Sequence, residues 1–470
     1  MPPPEPTSKV NRMVARLAAA VEGGLLRAGA RVASVRAAAR DHGLSKNTVA
    51  EAYDRLVASG HFEARRGAGY FVVSHPPRRA EPRREMAEAL GLVSLLREQT
   101  EEHYVVRPGE GRPPPSWMEE SELARHLVQV SRAHHGGEAH AYGSSRGYLP
   151  LRERIALSLH ERSIGCTAGQ VLLTQGANHA LDLVIRHMVA AGDPVLVDDP
   201  GYYPLFAKLR LAGAEVIGIR RNADGPDLGV LETVLRRRSP KAFFTQSLAH
   251  NPTGGTLSAA VAHGLLQAAE RHGLRIVEDD AFADILPPSS PRLASLDGLR
   301  RVLYVGTFSK TLSASLRVGY VAAEEPIVRA LDDLKLITVV STSQYTERLV
   351  AGLIDGGHYL RHLRRLRRRV EAATAQAVRD LSEAGWPVAP PPGGGFYLWA
   401  GLPAGVEETA LCRRAAARGI FLAPGSVFHA GREGAAGALR INIAHASDPR
   451  FLALLRESAV EAGRAGHAPG

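Results

Sequence analysis

The sequence predicts an α/β chain in two parts: a small basic helical module ending in a β-hairpin, then a large, mostly parallel sheet covered by helices. Three observations carry this. From about residue 105 onward, strand-like apolar runs alternate with helical segments, the pattern of a parallel sheet with helices on its faces. The first 80 residues hold 13 Lys and Arg against 6 Asp and Glu, so most of the formal net charge of +10 lies there. A chain of 470 residues also exceeds what one hydrophobic core usually serves.

Composition narrows the class. Apolar residues make up 45% and charged residues 23%, as in ordinary globular proteins. No apolar run is long enough to span a bilayer and the N-terminus lacks a signal-type stretch, so the cytoplasm is the expected compartment and no membrane partner is expected. Two cysteines, Cys166 and Cys412, suggest neither a disulfide framework nor a Cys-rich centre, and no metal is expected.

The module, expected over residues 1–75, opens with a segment from Ser8 to Leu26. It places Val10, Met13, Val14, Leu17 and Val21 on one helical face. A short helical stretch from Arg31 ends at Gly43. Ser45 then supplies an N-cap, and Val49, Ala52, Tyr53, Leu56 and Val57 repeat at helical spacing. His61–Ala64 and Tyr70–Val73 are two strands around the basic, Gly-rich turn Arg65-Arg66-Gly67-Ala68-Gly69. Two helices about a tight turn followed by a basic hairpin read as a winged helix-turn-helix, a binder of double-stranded DNA. On charge alone a solvated basic surface explains the module equally well; the hairpin favours DNA. Ser45, Lys46, Asn47 and Thr48 open the second helix, where such helices meet base edges. Ser34 and Arg36 at the first helix, with Arg65, Arg66 and Gly67 of the wing, are candidate phosphate contacts. The run Gly29 to Arg36 resembles the GntR-type winged helix, which reads G-x-x-L-P-S-x-R there. Gly29, Ser34 and Arg36 match, with Val32 and Ala33 in place of leucine and proline.

Residues 76–104 begin rich in Pro, Arg and Glu and are expected to be a linker. In the domain expected over 105–470, the clearest strands are Val171–Thr174, Pro194–Asp198, Ala242–Gln246, Arg275–Asp279 and Val302–Gly306. The basic run Arg361–Arg369 is expected to be a solvated helix face.

Four elements carry chemistry. Lys310 follows a buried strand within Thr307-Phe308-Ser309-Lys310, and only six of the 58 basic residues are lysines. An amine that attacks an aldehyde must lose its proton, which arginine does not do. Arg317, Thr307 and Ser309 can hold a phosphate. Asp279 closes another strand, where a carboxylate can pair with a protonated pyridine nitrogen. Asn251 lies in the turn Asn251-Pro252-Thr253-Gly254. Gly176, Ala177 and Asn178 form a strand-to-helix turn whose amides can hold phosphate, and Tyr202 offers a stacking face. Each alone is common as a structural feature; their order along the chain is not.

Together they resemble the fold-type-I aminotransferases over roughly residues 105–460. The resemblance implies pyridoxal 5'-phosphate bonded to Lys310, with Asp279 on the pyridine nitrogen, Asn251 on the phenolic oxygen and Tyr202 stacked on the ring. Thr307, Ser309, Arg317 and the Gly176-Ala177-Asn178 turn would hold the phosphate, and Tyr142 would reach the phosphate of a partner subunit. Arg440, in Leu439-Arg440-Ile441-Asn442, would clamp a carboxylate. Phe282 stands where these enzymes commonly have tyrosine, so one donor to the phenolic oxygen is missing and the imine proton should be held over a wide pH range. A winged helix joined to such a domain resembles the MocR family of regulators. That implies a homodimer whose DNA binding responds to an amino-acid or amine effector. Two other readings stand beside it: a working aminotransferase with an attached DNA-binding module, and a constitutive DNA-binding protein that uses the cofactor only structurally.

Overall fold

A computed structural model describes residues 8–22, 26, 28–65, 68–73, 93–133, 140–282, 284–287, 289–391, 394–431 and 437–465. The chain divides into two compact units, Met1–Pro82 and Arg83–Gly470.

In the first unit three helices, α1 (Lys9–Glu22), α2 (Val35–Asp41) and α3 (Lys46–Ala58), precede the strands β1 (Phe62–Arg65) and β2 (Gly69–Val72). Side-chain oxygens start both short helices: Ser34 accepts from Ala37 N at 3.2 Å, and Ser45 from Thr48 N at 3.1 Å. Between them Gly43 takes φ +61°, the left-handed conformation that lets the chain leave α2 and turn at once into α3. The predicted helical periodicity is the buried face: Met13, Val49, Ala52, Tyr53 and Leu56 pack with Phe62 and Val72 into one core. Losing the Ser45 cap should cost about 1 kcal/mol. Ser45→Ala is therefore expected to lower the denaturation midpoint of this unit's helical signal, measured by circular dichroism, without changing the slope.

The hairpin pairs one residue later at its start, and ends one residue earlier, than the sequence pattern suggested, with Phe62 opposite Val72 and Arg65 opposite Gly69. The residues before α2 also join it. Gly29 N donates to Val72 O at 2.9 Å and Val32 N to Tyr70 O at 3.0 Å. The edge of β2 is thereby covered, leaving less open strand for unwanted pairing.

The second unit is built on an eight-stranded sheet: β3 (Val171–Thr174), β4 (Pro194–Asp199), β5 (Glu215–Asn222), β6 (Gly225–Pro226), β7 (Ala242–Thr245), β8 (Arg275–Asp280), β9 (Val302–Thr307) and β10 (Gly319–Ala322). Their order across the sheet is β3-β10-β9-β8-β7-β4-β5-β6. β4, β5, β7, β8 and β9 run parallel, and β10 lies antiparallel between β3 and β9. Strands covered on both faces must be apolar throughout, and β3, β7 and β9 are buried along their whole length. A smaller sheet, β11 (Tyr397–Gly401), β12 (Ala423–Pro424) and β13 (Ala438–Asn442), runs in the order β11-β13-β12 and has its own core around Trp386, Phe396 and Ile441.

The run Arg361–Arg369 lies in the helix His358–Glu383, and it is not a wholly solvated face. Arg367 donates to Asp284 O at 2.8 Å and Arg369 to Trp117 O at 3.0 Å, so two of its guanidiniums tie loops to the helix. Among the described residues no helix is long and apolar enough to cross a membrane.

Candidate functional site

Because β3, β4, β7, β8 and β9 run in one direction, the segments that follow them gather at one end of the sheet. Antiparallel β10 brings the residues that precede it to the same end. That end holds a cavity of about 180 Å³ lined by residues from every one of these connections, among them Ala177, Asn178, Tyr202, Asn251, Thr307, Ser309, Lys310 and Arg317. Asp279 of β8 and Arg440 of β13 also line it.

Lys310 is half-buried, and its amine donates to Gly111 O. Burial, then the positive charge of Arg440, lowers its pKa to about 8. Asp279 is buried; Gln246 Nε2 donates to its Oδ2 at 2.9 Å, while Oδ1 has no partner. Burial raises this carboxyl to about 6. A buried carboxylate oxygen left without a donor is costly, and a protonated ring nitrogen would satisfy it.

Gly176 precedes the helix Ala177–Met188 at φ +75°, and a Cβ there would lie 2.8 Å from Arg317 Nη2. Only glycine lets the guanidinium approach the unpaired amides of that helix start. Arg317 itself has φ +51°, a conformation costing an ordinary residue about 1 kcal/mol or more. It is held there by Nη2 on Gln175 O at 3.0 Å. Thr307 Oγ1 bonds Ser309 Oγ at 3.1 Å, so these hydroxyls are ordered beside it. The result is an anion cradle: a helix N-terminus, a guanidinium and two hydroxyls.

At the other end Arg440 is 2% exposed. It donates to Asn251 Oδ1 at 3.1 Å and Gly109 O at 2.7 Å, between the rings of Tyr397 at 4.6 Å and Phe428 at 5.0 Å. With its oxygen engaged, Asn251 has its amide nitrogen to offer. Tyr202 lies on the cavity wall, and burial raises its hydroxyl pKa well above the usual value. Phe282 lines the cavity too, packed 5.6 Å from the rings of Phe396 and Tyr397. An amine, an orphaned carboxylate oxygen, a flat aromatic wall and an anion cradle fit pyridoxal 5'-phosphate.

Tyr142 is not brought to this cavity; it is 83% exposed on a different stretch of the same unit. Several lining residues had no motif to reveal them: Gln246, Gly111, Arg112 and Tyr397. Gln246 alone carried a local signal, the polar end of the expected apolar strand Ala242–Gln246. Elsewhere in this unit Glu122, His126 and His358 draw their ligand atoms within 4.8 Å of one another. His358 Nδ1 there lies 2.8 Å from the Arg361 guanidinium and 3.0 Å from Glu122 Oε1, so that nitrogen is already engaged within the protein.

In the first unit Arg36, Lys46 and Asn47 are exposed. Ser34 and Ser45 direct their oxygens to the helix starts, and Thr48 Oγ1 meets Ser45 Oγ at 2.8 Å. Arg65 is exposed but paired with Glu63 and stacked 4.4 Å over the Phe71 ring. Arg66 and Gly67 lie outside the described residues.

Residues 104–456 match the family described as Aminotransferase class I and II. The chain is similar to the 2-aminoadipate transaminase of Thermus thermophilus, 33% identical over 71% of this chain and 84% of that protein. It is also similar to the probable rhizopine catabolism regulatory protein MocR of Rhizobium meliloti, 30% identical over 87% of this chain and 85% of that protein. That share exceeds what the unit Arg83–Gly470 holds, so this likeness extends into the basic module. Among solved structures, the α-aminoadipate aminotransferase LysN of Thermus thermophilus, complexed with N-(5'-phosphopyridoxyl)-L-leucine, superposes with a TM-score of 0.72. It is 28% identical and covers 80% of this chain and 98% of its own.

Proposed function

Because the chain belongs to the class I and II aminotransferase family and, within it, to the MocR-type regulators, we propose that it is a DNA-binding transcription regulator that holds pyridoxal 5'-phosphate and senses an amino acid or amine through it. The observation that carries this is the joining of two sites in one chain. Two capped helices present Arg36 on one and Lys46 and Asn47 on the other in a basic unit, and a buried cavity carries the cofactor groups and a separate carboxylate clamp, Arg440.

When bound, pyridoxal 5'-phosphate supplies an aldehyde that takes up an amine and a ring that withdraws electrons. Lys310 provides the amine that holds it, and Asp279 keeps a proton on the ring nitrogen. Arg317, Thr307, Ser309 and the helix start at Gly176, Ala177 and Asn178 bind the phosphate, while Tyr202 covers the ring. Arg440 serves an effector carboxylate, since the cofactor does not need it. Tyr142, exposed and away from its own cavity, supports a homodimer in which it reaches the partner's phosphate. Regulation requires only that the effector bind two states of the protein with different affinity.

The test is binding of purified, cofactor-loaded protein to DNA flanking its own gene, at physiological salt with excess competitor. Specific binding to one fragment, altered by an amine, supports the regulator. Binding no tighter than to competitor on every fragment, together with steady turnover of an amino donor and a 2-oxo acid, would identify a working aminotransferase instead.

Phe282 gives a spectroscopic prediction. Restoring a hydroxyl with Phe282→Tyr should lower the pKa that governs the visible absorbance of the loaded protein by about one to two units, the worth of one hydrogen bond to a charged group. An unchanged absorbance–pH titration would remove Phe282 from the account.

A further inference from the structure

Gln246 sits one residue beyond β7, 6% exposed, and belongs to no motif that the cofactor reading uses. Its side chain bridges the two groups placed at different positions around the cofactor ring. Nε2 donates to Asp279 Oδ2 at 2.9 Å, and Oε1 accepts from Asn251 N at 2.7 Å. The amide cannot be reversed. A backbone N–H only donates, so the oxygen must face Asn251 and the nitrogen must face the carboxylate.

The strut is itself anchored. Gln246 N donates to Asp198 Oδ2 at 3.2 Å, and Arg221 donates to Gln246 O at 2.8 Å. Asp198 and Arg221 form a buried pair at 2.9 Å, so the backbone of Gln246 is held from both sides by a fixed charge pair. The backbone is thereby held, and both ends of the side-chain amide are engaged. Among the described residues Asp279 has no other hydrogen-bond donor, and without the amide it could turn about its terminal bond, which is broad and roughly two-fold. The charged neighbours around it do not replace the contact: Asp280 on the same strand repels it, and Lys310 across the cavity faces Gly111 O.

We propose that Gln246 is a positioning residue that aims the unpartnered oxygen of Asp279 at the cofactor's ring nitrogen and holds the Asn251 turn in register with it. This rests on the cofactor reading above. It assigns to a residue outside the known machinery the task of making the two ends of the ring site rigid with respect to each other, which is what preorganisation requires.

The experiment uses the full chain and pyridoxamine 5'-phosphate, which carries the same ring and phosphate but cannot bond to Lys310. Its affinity is measured by titration for the wild type, Gln246→Met, Asp279→Ala and the double variant. Gln246→Met should weaken binding about tenfold when Asp279 is present and no more than about threefold when it is absent, because a residue acting through another loses its effect with its partner. The near-ultraviolet band of the bound ring, which reports its protonation, should change with Gln246→Met as well. Equal losses in both backgrounds, or no loss in either, would overturn the proposal, since a merely structural residue acts independently of Asp279. Failure of the wild type to bind pyridoxamine 5'-phosphate would instead sink the cofactor reading on which it rests.

Discussion

Lys310→Ala is expected to abolish covalent capture of pyridoxal 5'-phosphate. Wild-type protein mixed with the cofactor and reduced with borohydride should gain one cofactor mass on the peptide containing Lys310; the variant should gain none. The physical basis is the amine's pKa, lowered from 10.5 to about 8, first by burial and then by Arg440. At pH 7 a shift of that size raises the unprotonated, nucleophilic fraction roughly 300-fold. The sign follows directly: attachment in the wild type should quicken as pH rises toward 8 and flatten above it.

Lys335 is the internal control. Its pKa is also lowered to about 8, chiefly by burial, so acidity alone would make it a competitor. It is fully buried, though, and its ammonium donates to Ser145 O, to Leu173 O at 2.8 Å and to Thr342 Oγ1 at 3.2 Å. A buried amine with all three donors engaged holds neighbouring segments together. A cofactor adduct on Lys335 in place of Lys310 would overturn the assignment.

The second large effect is expected in the basic unit. Since Ser34 and Ser45 engage their side-chain oxygens at the helix starts, the exposed Arg36, Lys46 and Asn47 are the proposed DNA contacts. Asn47→Ala should cost about 1–3 kcal/mol of specific binding and relax the base preference at one operator position. Arg36→Ala and Lys46→Ala should weaken specific and non-specific binding alike. Each should lower the slope of log affinity against log salt by about one. Fluorescence anisotropy at four salt concentrations distinguishes the two classes. Unchanged slopes for both cationic variants would remove this face from the interface.

The candidate cofactor groups that the fold gathers at one cavity could be picked out from residue order because each lies in a short local signal. Lys310, Asp279, Asn251 and the Gly176 turn all sit at or just beyond the end of an apolar strand, and strand ends are visible as breaks in hydrophobic runs. The helices of the basic unit were legible for the same reason: a 3.6-residue periodicity beside Ser45 and Gly43 is local information. β5 and β10 were not legible. Glu215–Asn222 mixes charges into its apolar run, and Gly319–Ala322 is four residues long and antiparallel in an otherwise parallel setting.

From residue order alone, then, come the two-part organisation, the strand-and-helix alternation, and the candidates for the amine, carboxylate and phosphate-binding groups. Only the folded chain sets Arg440 against Asn251, Gln246 against Asp279, and Tyr397 and Lys310 on the same carbonyl of Gly111. It also turns Arg367 and Arg369 inward and pairs Arg65 with Glu63. The reason is physical. Hydrophobic period and capping act within a few residues, whereas a hydrogen bond between Arg440 and Asn251 joins positions 189 apart. That bond exists only because separate sheets bring their ends to one cavity.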